Sequence, residues 1–158
     1  MSLTTERERA LLDKIKAKFE DVIKEKYVKP KRIRIDVSPQ KIFEVASFLK
    51  ALGFNQVASV AGTDYPSSNE MEVVYHIVAI DNELRDIVFA LGERVSRDNP
   101  IVPSLTDVWK SASYHEQETY EMLGIKFEGH PRLERLLLPE DWADIPPLRK
   151  EFKLPGRE

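Results

Sequence analysis

The sequence offers few side chains with the type and spacing that enzyme chemistry requires. Its three histidines are His76, His115 and His130, and no two of them have the i,i+4 spacing of a helical metal site. Glu116 and Glu118 are two residues apart on a predicted helix, so they point to different faces and do not form a paired acid–base site. The sequence has no serine nucleophile elbow and no glycine-rich phosphate loop. These patterns predict no self-contained active site.

Length and composition predict one soluble globular domain. The chain has 158 residues, of which 42% are hydrophobic and 32% charged, and its net charge of −3 gives no indication of nucleic-acid binding. It contains no cysteine, which excludes disulfides, thiolate-bound zinc and cysteine-held iron–sulfur clusters. No apolar run approaches the ~20 residues that span a bilayer, and no signal peptide is evident, so we expect a cytoplasmic location.

The charge is uneven along the chain. Residues 1–34 carry a net charge of +5. A basic segment of this kind can contact anionic lipid or an acidic partner, although a solvated helix face is the more frequent reason for it.

Hydrophobic periodicity and turn residues predict an α+β fold, in which helices cover one side of a mixed sheet. Three consecutive strands in the middle of the chain are expected to form a meander. In chain order, the predicted elements are a helix over 5–26, a strand over 31–37, a helix from Ser38-Pro39 to Gly53, a strand over 54–61, a turn over 62–69, strands over 71–80 and 84–95, a short helix from 104 to 112, and a helix from Ser113 to Gly124.

The last predicted helix leads into an extended, proline-rich C-terminal tail. Ser113 and Glu116 fit a capping box, and Gly124 stands where a helix C′ residue belongs. Five of the ten prolines lie in residues 131–158, which rules out long helices there. The tail is nevertheless apolar, so its side chains must be buried on this domain or on a partner. We therefore divide the chain into an α/β domain with an N-terminal amphipathic helix, residues 1–126, and a subunit-docking tail, residues 127–158.

Gly129-His130-Pro131 marks a bend at the start of this tail. There the imidazole is expected to bond a carboxylate or a carbonyl and fix the turn.

The stretch EQETYEMLGIKFEGHPRLERLLLPEDW, followed by PLRKEF, resembles the signature of the thirty-kilodalton (C) subunit of respiratory complex I. That family includes the equivalent subunit of archaeal membrane-bound hydrogenases and sulfur-reducing complexes. Two positions depart from its pattern, since Gln117 replaces an arginine and Glu121 replaces the commoner aspartate. The residues that match are Glu116, Glu118, Tyr120, Met122, Gly124, Ile125, Phe127, Gly129, His130, Pro131, Arg135, Leu136, Leu137, Trp142, Pro147, Leu148, Arg149 and Lys150.

The resemblance implies a non-catalytic scaffold subunit in the peripheral, hydrophilic arm of a complex-I-like membrane oxidoreductase. Its partners would be the hydrogenase-like large subunit, of the forty-nine-kilodalton type, and the small cluster-bearing subunit, of the twenty-kilodalton type. This chain would hold no cofactor, while the partner subunits would carry iron–sulfur clusters and, in a hydrogenase, NiFe. It would lie on the cytoplasmic side of the membrane and meet the membrane only through the complex.

The resemblance also implies a subunit interface along the last helix and the tail. Carboxylates of the helix are expected to pair there with Arg132, Arg135, Arg149 and Lys150. The predicted interface residues are Glu116, Glu118, Tyr120, Phe127, His130, Pro131, Arg135, Leu137, Trp142, Leu148, Arg149 and Lys150.

Several alternatives remain open at this point. Chain length, Gln117 and the Lys/Glu-rich composition favour an archaeal energy-converting hydrogenase or a sulfur-reducing relative over the C subunit of an NADH– or other donor–quinone oxidoreductase. Outside the family, the alternatives are a free-standing adaptor domain and a stand-alone enzyme that uses His115, Glu116 and Glu118.

Overall fold

A five-stranded mixed sheet with three helices on one face forms the body of the protein. The computed structural model describes residues 5–134, 138 and 145–152. The helices are α1 (Glu6–Lys18), α2 (Ile42–Leu52) and α3 (Ala112–Leu123), and the strands are β1 (Lys24–Lys29), β2 (Arg32–Asp36), β3 (Gln56–Tyr65), β4 (Glu70–Val78), β5 (Val88–Ser96), β6 (Ile101–Pro103) and β7 (Lys126–Glu128).

The strands of the large sheet follow the order β1-β2-β5-β4-β3. β2 and β5 are parallel, and the other neighbours are antiparallel. The predicted meander is therefore present as β3, β4 and β5. β6 and β7 form a separate parallel pair, and β7 comes directly after α3.

One face of the sheet and the inner sides of the helices share a single hydrophobic core. Fully buried side chains on this face include Ile35, Tyr75 and Leu91, and they pack with residues of all three helices, such as Ile15 and Leu49. This burial confirms the predicted α+β class with helices on one side.

The opposite face of the sheet is polar and is crossed by ion pairs. Arg34 binds Glu72 at 3.1 Å, and Arg94 binds Glu72 at 3.2 Å and Glu70 at 3.0 Å.

Three predicted boundaries were wrong in the N-terminal half. The first helix, predicted to reach residue 26, ends at Lys18, and residues 24–26 belong instead to the edge strand β1. The second helix begins at Ile42, and the Ser38 carbonyl accepts the Ile42 N–H at 3.1 Å. β3 runs on to Tyr65, through four residues predicted as a turn.

The region before α3 also differs from the prediction. Residues 104–111 form turns and no short helix. α3 begins at Ala112, so Ser113 lies inside the helix and does not cap it. The hydroxyl of Ser111 accepts the Val57 N–H at 2.9 Å and thereby ties the start of α3 to β3.

Candidate functional site

A short stretch of the tail, residues 145–152, lies against the end of α3; we call it the anchored segment. The Leu148 N–H donates to the Met122 carbonyl at 2.8 Å, and Arg149 Nε donates to the Leu123 carbonyl at 2.8 Å. Carbonyls in the last turn of a helix have no partner within the helix, so these two bonds satisfy groups that would otherwise need water. The anchored segment thus completes the C-terminal cap of α3.

Gly124 makes this close approach possible. It has a φ of +77°, the left-handed conformation that favours glycine at a helix C′ position, as the sequence predicted. A Cβ at this position would lie 3.1 Å from Pro146 and 3.2 Å from Arg149. The glycine therefore both ends α3 and leaves room for the anchored segment.

A second attachment point is Asp64, on β3. Its carboxylate has no exposed surface and accepts two bonds from Arg97, at 2.6 and 3.1 Å. It also accepts the Lys150 N–H at 2.9 Å. Burial alone would raise the pKa of Asp64, but the bonds from Arg97 and Lys150 outweigh it and hold this pKa below its usual value. Arg97 extends the attachment by binding Glu151 at 2.6 Å.

The anchored segment exposes apolar side chains although its backbone is fixed. Leu148 is 59% exposed and Ile145 is 44% exposed. Scattered surface leucines are ordinary, but here two apolar side chains lie within four residues on a stretch held by four hydrogen-bonded contacts to the domain. The segment thus displays apolar side chains on a backbone that the domain holds in place.

The bend at His130 fixes where the tail leaves the domain. Gly129 has a φ of +88°, and His130 Nε2 donates to the Ser113 carbonyl at 2.9 Å. His130 Nδ1 accepts the Arg132 N–H at 2.9 Å. The predicted role of His130, an imidazole that locks this turn by bonding a carbonyl, is confirmed. Gln117 adds a bond from its side-chain amide to the Arg132 carbonyl, which gives this departure from the family pattern a structural role.

Glu116, in the first half of α3, lies in the buried interior of the domain. It has no exposed area and accepts bonds from the Ser104 hydroxyl at 2.6 Å, the Tyr75 hydroxyl at 3.0 Å and the Leu105 N–H at 3.0 Å. Burial raises the pKa of Glu116, although the three bonds oppose that change. These hydroxyl and amide donors replace the arginine and lysine partners that the sequence suggested for it.

A second buried carboxyl, Glu93 on β5, lies near Glu116. Glu93 is 1% exposed, and neither of its oxygens has a hydrogen-bond partner within the described part of the chain. Burial, with the nearby charge of Glu116 as a smaller cause, raises the pKa of Glu93 well above its ordinary value.

The remaining predicted interface residues divide into three groups. Phe127 is 2% exposed and belongs to the core, and Tyr120 packs partly against it. Glu118, Pro131 and Lys150 are exposed, and Glu118 has no ion pair among the described residues. Three residues fall outside the described residues: Arg135, Leu137 and Trp142.

The structure does not bring the histidines together. His76 lies on the polar face of the sheet, opposite α3, which carries His115. Among residues 5–134, 138 and 145–152, no group of three or more histidine, aspartate or glutamate side chains is placed to hold a metal ion. No helix in the same ranges is long and apolar enough to cross a bilayer.

Sequence reasoning missed Asp64 and Arg97, the ion pair that holds the anchored segment. The sequence predicts a turn at Asp64, because Gly62, Pro66 and two serines surround it. Its position on the same face as Val60 and Gly62 was the available signal, since a carboxylate on a covered face needs a partner.

The comparisons with known proteins agree with the signature in the sequence. The family model described as "Respiratory-chain NADH dehydrogenase, 30 Kd subunit" matches residues 35–158. The chain is 40% identical over 147 residues to the C subunit of F(420)H(2) dehydrogenase from Methanosarcina mazei, and the match covers 92% of this chain and 91% of that relative. It is 45% identical over 130 residues to the C subunit of NADH-quinone oxidoreductase from Roseiflexus sp. strain RS-1, and the match covers 80% of this chain and 72% of that relative.

The fold is also shared with a chain in the solved structure of the membrane-bound sulfane sulfur reductase, an archaeal respiratory membrane complex. The TM-score is 0.78 over 94% of this chain and 87% of that chain, at 22% identity. That likeness shows the fold alone. The family match over residues 35–158 and the two relatives carry the assignment: this chain belongs to the family of the 30 Kd subunit of respiratory-chain NADH dehydrogenase.

Proposed function

We propose that this chain is a non-catalytic scaffold subunit in the peripheral arm of a complex-I-like membrane oxidoreductase. The observation that carries the proposal is the anchored segment, in which Leu148 is 59% exposed while its own N–H is bonded to α3. Its relatives in the comparisons are named as subunits of a dehydrogenase and of an oxidoreductase, which supports a hetero-oligomer.

Preorganisation is the physical reason for this assignment. Ordering a flexible segment at an interface costs about 0.5–1.5 kcal/mol for each immobilised side chain, and a fixed backbone reduces that cost. A leucine displayed on a fixed backbone can fill a pocket of a neighbouring subunit and so hold the two in one geometry. Electron transfer between cofactors of neighbouring subunits benefits from such fixed positions.

The expected partners are the hydrogenase-like large subunit and the small cluster-bearing subunit. The iron–sulfur clusters, and NiFe if the complex is a hydrogenase, would belong to those partners, since this chain has no cysteine. Glu116 has no exposed surface, so it would act by fixing the fold beneath the interface, and a catalytic role in a stand-alone enzyme is disfavoured. We place the chain peripherally, on the cytoplasmic side of the membrane.

The type of complex is a finer question. The sequence favoured a hydrogenase or a sulfur reductase, but the likeness to the sulfane sulfur reductase, at 22% identity, bears on the fold alone. The relatives at 40% and 45% identity are named for an F(420)H(2) dehydrogenase and an NADH-quinone oxidoreductase. We therefore favour a donor–quinone type of oxidoreductase, with the hydrogenase as the second candidate.

The test is a mild-detergent purification of the tagged chain from its host's membranes, with iron and nickel measured in the eluate. We expect other subunits and iron to co-purify, without nickel. Nickel together with iron would identify a hydrogenase. Recovery of the chain alone, from the soluble fraction and without metal, would contradict the scaffold function and favour the adaptor.

A pair of variants ties this test to the anchored segment. Ile145→Asp places a charge on the segment, whereas Ile80→Asp places the same charge at an equally exposed site beside β4; both isoleucines are 44% exposed. We expect Ile145→Asp to lower the co-purified iron about tenfold, since about 1.4 kcal/mol of lost contact corresponds to a factor of ten. Ile80→Asp should leave the co-purified iron unchanged. Equal losses for both variants would contradict a role for the segment.

A further inference from the structure

The large sheet has two edges, and they differ in how they are protected. β1 forms one edge and β3 the other. β3 is ten residues long and pairs with β4 along one side only. Along its other side, the described residues provide a hydrogen-bond partner for a single backbone group between Gln56 and Asp64. That group is the Val57 N–H, which donates to the Ser111 hydroxyl. β3 therefore carries a row of backbone donors and acceptors that no described residue pairs.

β1 shows what a protected edge looks like in the same molecule. It has six residues, three of them lysines, and its pairing with β2 is interrupted by a register shift. Short length, lysine side chains and bulges are the usual devices that keep an edge strand from pairing with another chain. β1 uses all three.

β3 lacks most of these devices. From Gln56 to Thr63 it contains no lysine, no proline and no other charged residue, and its irregular step lies at its start, between Val57 and Ser59. The exposed side chains beyond that step are small, with Ser59 and Ala61 as examples. Small side chains leave the approach to the backbone open. A long, neutral, open edge is the feature that strand addition requires.

We propose that the outer edge of β3 receives an extended strand from a neighbouring subunit of the complex, which continues the five-stranded sheet. The inference rests on the proposed function, because it needs a partner subunit. The incoming segment would be uncharged and rich in small or β-branched residues, to match the neutral edge. Its main-chain groups would bond those of β3, so recognition would depend on its extended form more than on particular side chains.

The position of β3 supports this assignment. Asp64, near the end of the same strand, binds the Lys150 N–H of the anchored segment. A strand added to β3 would therefore lie beside that segment, and one partner could contact both. The β3 edge and the anchored segment would form one continuous interface. The partner would pair with main-chain groups along β3 and make apolar contact at Leu148.

Hydrogen–deuterium exchange on the free chain and on the purified complex tests the proposal. In the free chain, peptides covering 56–65 should exchange faster than those covering the interior strand β4. In the complex, exchange in 56–65 should slow at least tenfold, while 24–29 in β1 should be unchanged. Unchanged exchange in 56–65, in a complex where 145–152 has become protected, would overturn the strand-addition proposal and leave the scaffold function standing. A chain that has no partner subunits at all would overturn both.

Paired double variants add a second readout. Ala58→Lys with Ala61→Lys gives β3 the protection that β1 has, whereas Ala17→Lys with Ala51→Lys adds the same charge at exposed helix positions. The double variant on β3 should keep its thermal unfolding midpoint, but the amount recovered with the complex should fall about tenfold. The double variant on the helices should be recovered with the complex as well as the native chain is. Equal recovery of both pairs would overturn the proposal. Slow exchange of 56–65 in a concentrated free chain that dimerises would also overturn it, because the occupant would then be a second copy.

Discussion

At the scale of single residues, the buried carboxyl of Glu93 makes the free energy of unfolding depend on pH. The charge of Glu116 adds to burial in raising the pKa of Glu93, and the charge of Glu93 in turn helps to raise the pKa of the Tyr75 hydroxyl. Because the pKa of Glu93 is raised, the folded chain keeps a proton that the unfolded chain has already lost above pH ~4.5. This group therefore makes the free energy of unfolding fall as the pH rises from about 4.5 toward the raised pKa.

Glu93→Gln should remove that dependence. A neutral side chain of the same shape has no proton to release, so the variant should equal the native chain near pH 5 and exceed it near pH 8. Each tenfold change in proton affinity corresponds to about 1.4 kcal/mol, so the gap between the two chains at pH 8 reports how strongly burial raises the pKa of Glu93. Urea denaturation across this pH range measures it. Glu44→Gln, at an exposed position on α2, is the control, and identical pH profiles for native chain and Glu93→Gln would contradict the explanation.

His130 is the second residue whose contribution can be isolated. Both ring nitrogens are used, one by the Ser113 carbonyl and one by the Arg132 N–H. His130→Ala should lower the free energy of unfolding by about 1–3 kcal/mol, the range for leaving such groups without partners. Hydrogen exchange of residues 129–134 should speed up at the same time. His115→Ala is the comparison, because no side-chain hydrogen bond of His115 occurs among the described residues, and an equal loss there would argue against the turn lock.

At the scale of elements, the sequence predicted well those segments whose burial matches their periodicity. α2, β4 and β5 are buried on the sides that their apolar residues indicated, and Gly124 ends α3 as expected. β1 was missed because Lys24, Lys26 and Lys29 alternate with residues that are only partly buried, which gives an edge strand no apolar face to detect.

The capping box of α3 failed for a different reason. Ser113 and Glu116 have the right spacing, but Glu116 is taken up by Ser104, Tyr75 and Leu105, all distant along the chain. Tertiary hydrogen bonds of a buried carboxylate are stronger than a local cap, and a single sequence does not show them. The Asp64–Arg97 pair escaped prediction in the same way, since 33 residues separate its members.

Two glycines with positive φ allow the docking of the anchored segment to be measured. Gly124→Ala and Gly129→Ala both place a Cβ in the left-handed region, at φ of +77° and +88°, so both carry a similar backbone cost of about 1 kcal/mol. Among the described residues, the first Cβ would meet Pro146 and Arg149, while the second would have none of them within 4 Å. Gly124→Ala should therefore lower the free energy of unfolding by about 1–3 kcal/mol more than Gly129→Ala does. It should also speed hydrogen exchange in residues 145–152. Equal effects of the two substitutions would mean that the segment is not packed on Gly124.

At the scale of the whole molecule, acid should release the anchored segment before the domain unfolds. The carboxylate of Asp64 joins β3, Arg97 and the Lys150 N–H, and its pKa lies below the ordinary value. A group with a depressed pKa stabilises the folded state fully above its ordinary pKa, ~3.9, and loses that contribution as the pH falls toward the depressed value. At neutral pH the attachment is complete, and below about pH 4 it weakens.

Asp64→Asn should reproduce the acid effect at neutral pH, because an amide cannot accept two charge-assisted bonds from Arg97. We expect the free energy that holds the anchored segment on the domain to fall by about 1.5–3 kcal/mol, the range for hydrogen bonds to charged groups. Trypsin cleavage after Arg149 and Lys150, followed by mass spectrometry, reports this release. Asp13→Asn, on the exposed side of α1, should leave cleavage unchanged. If Asp64→Asn resisted trypsin as well as the native chain does, the hydrogen bonds to Met122 and Leu123 would be the sufficient attachment, and Leu148 would keep its presented position without the β3 contact.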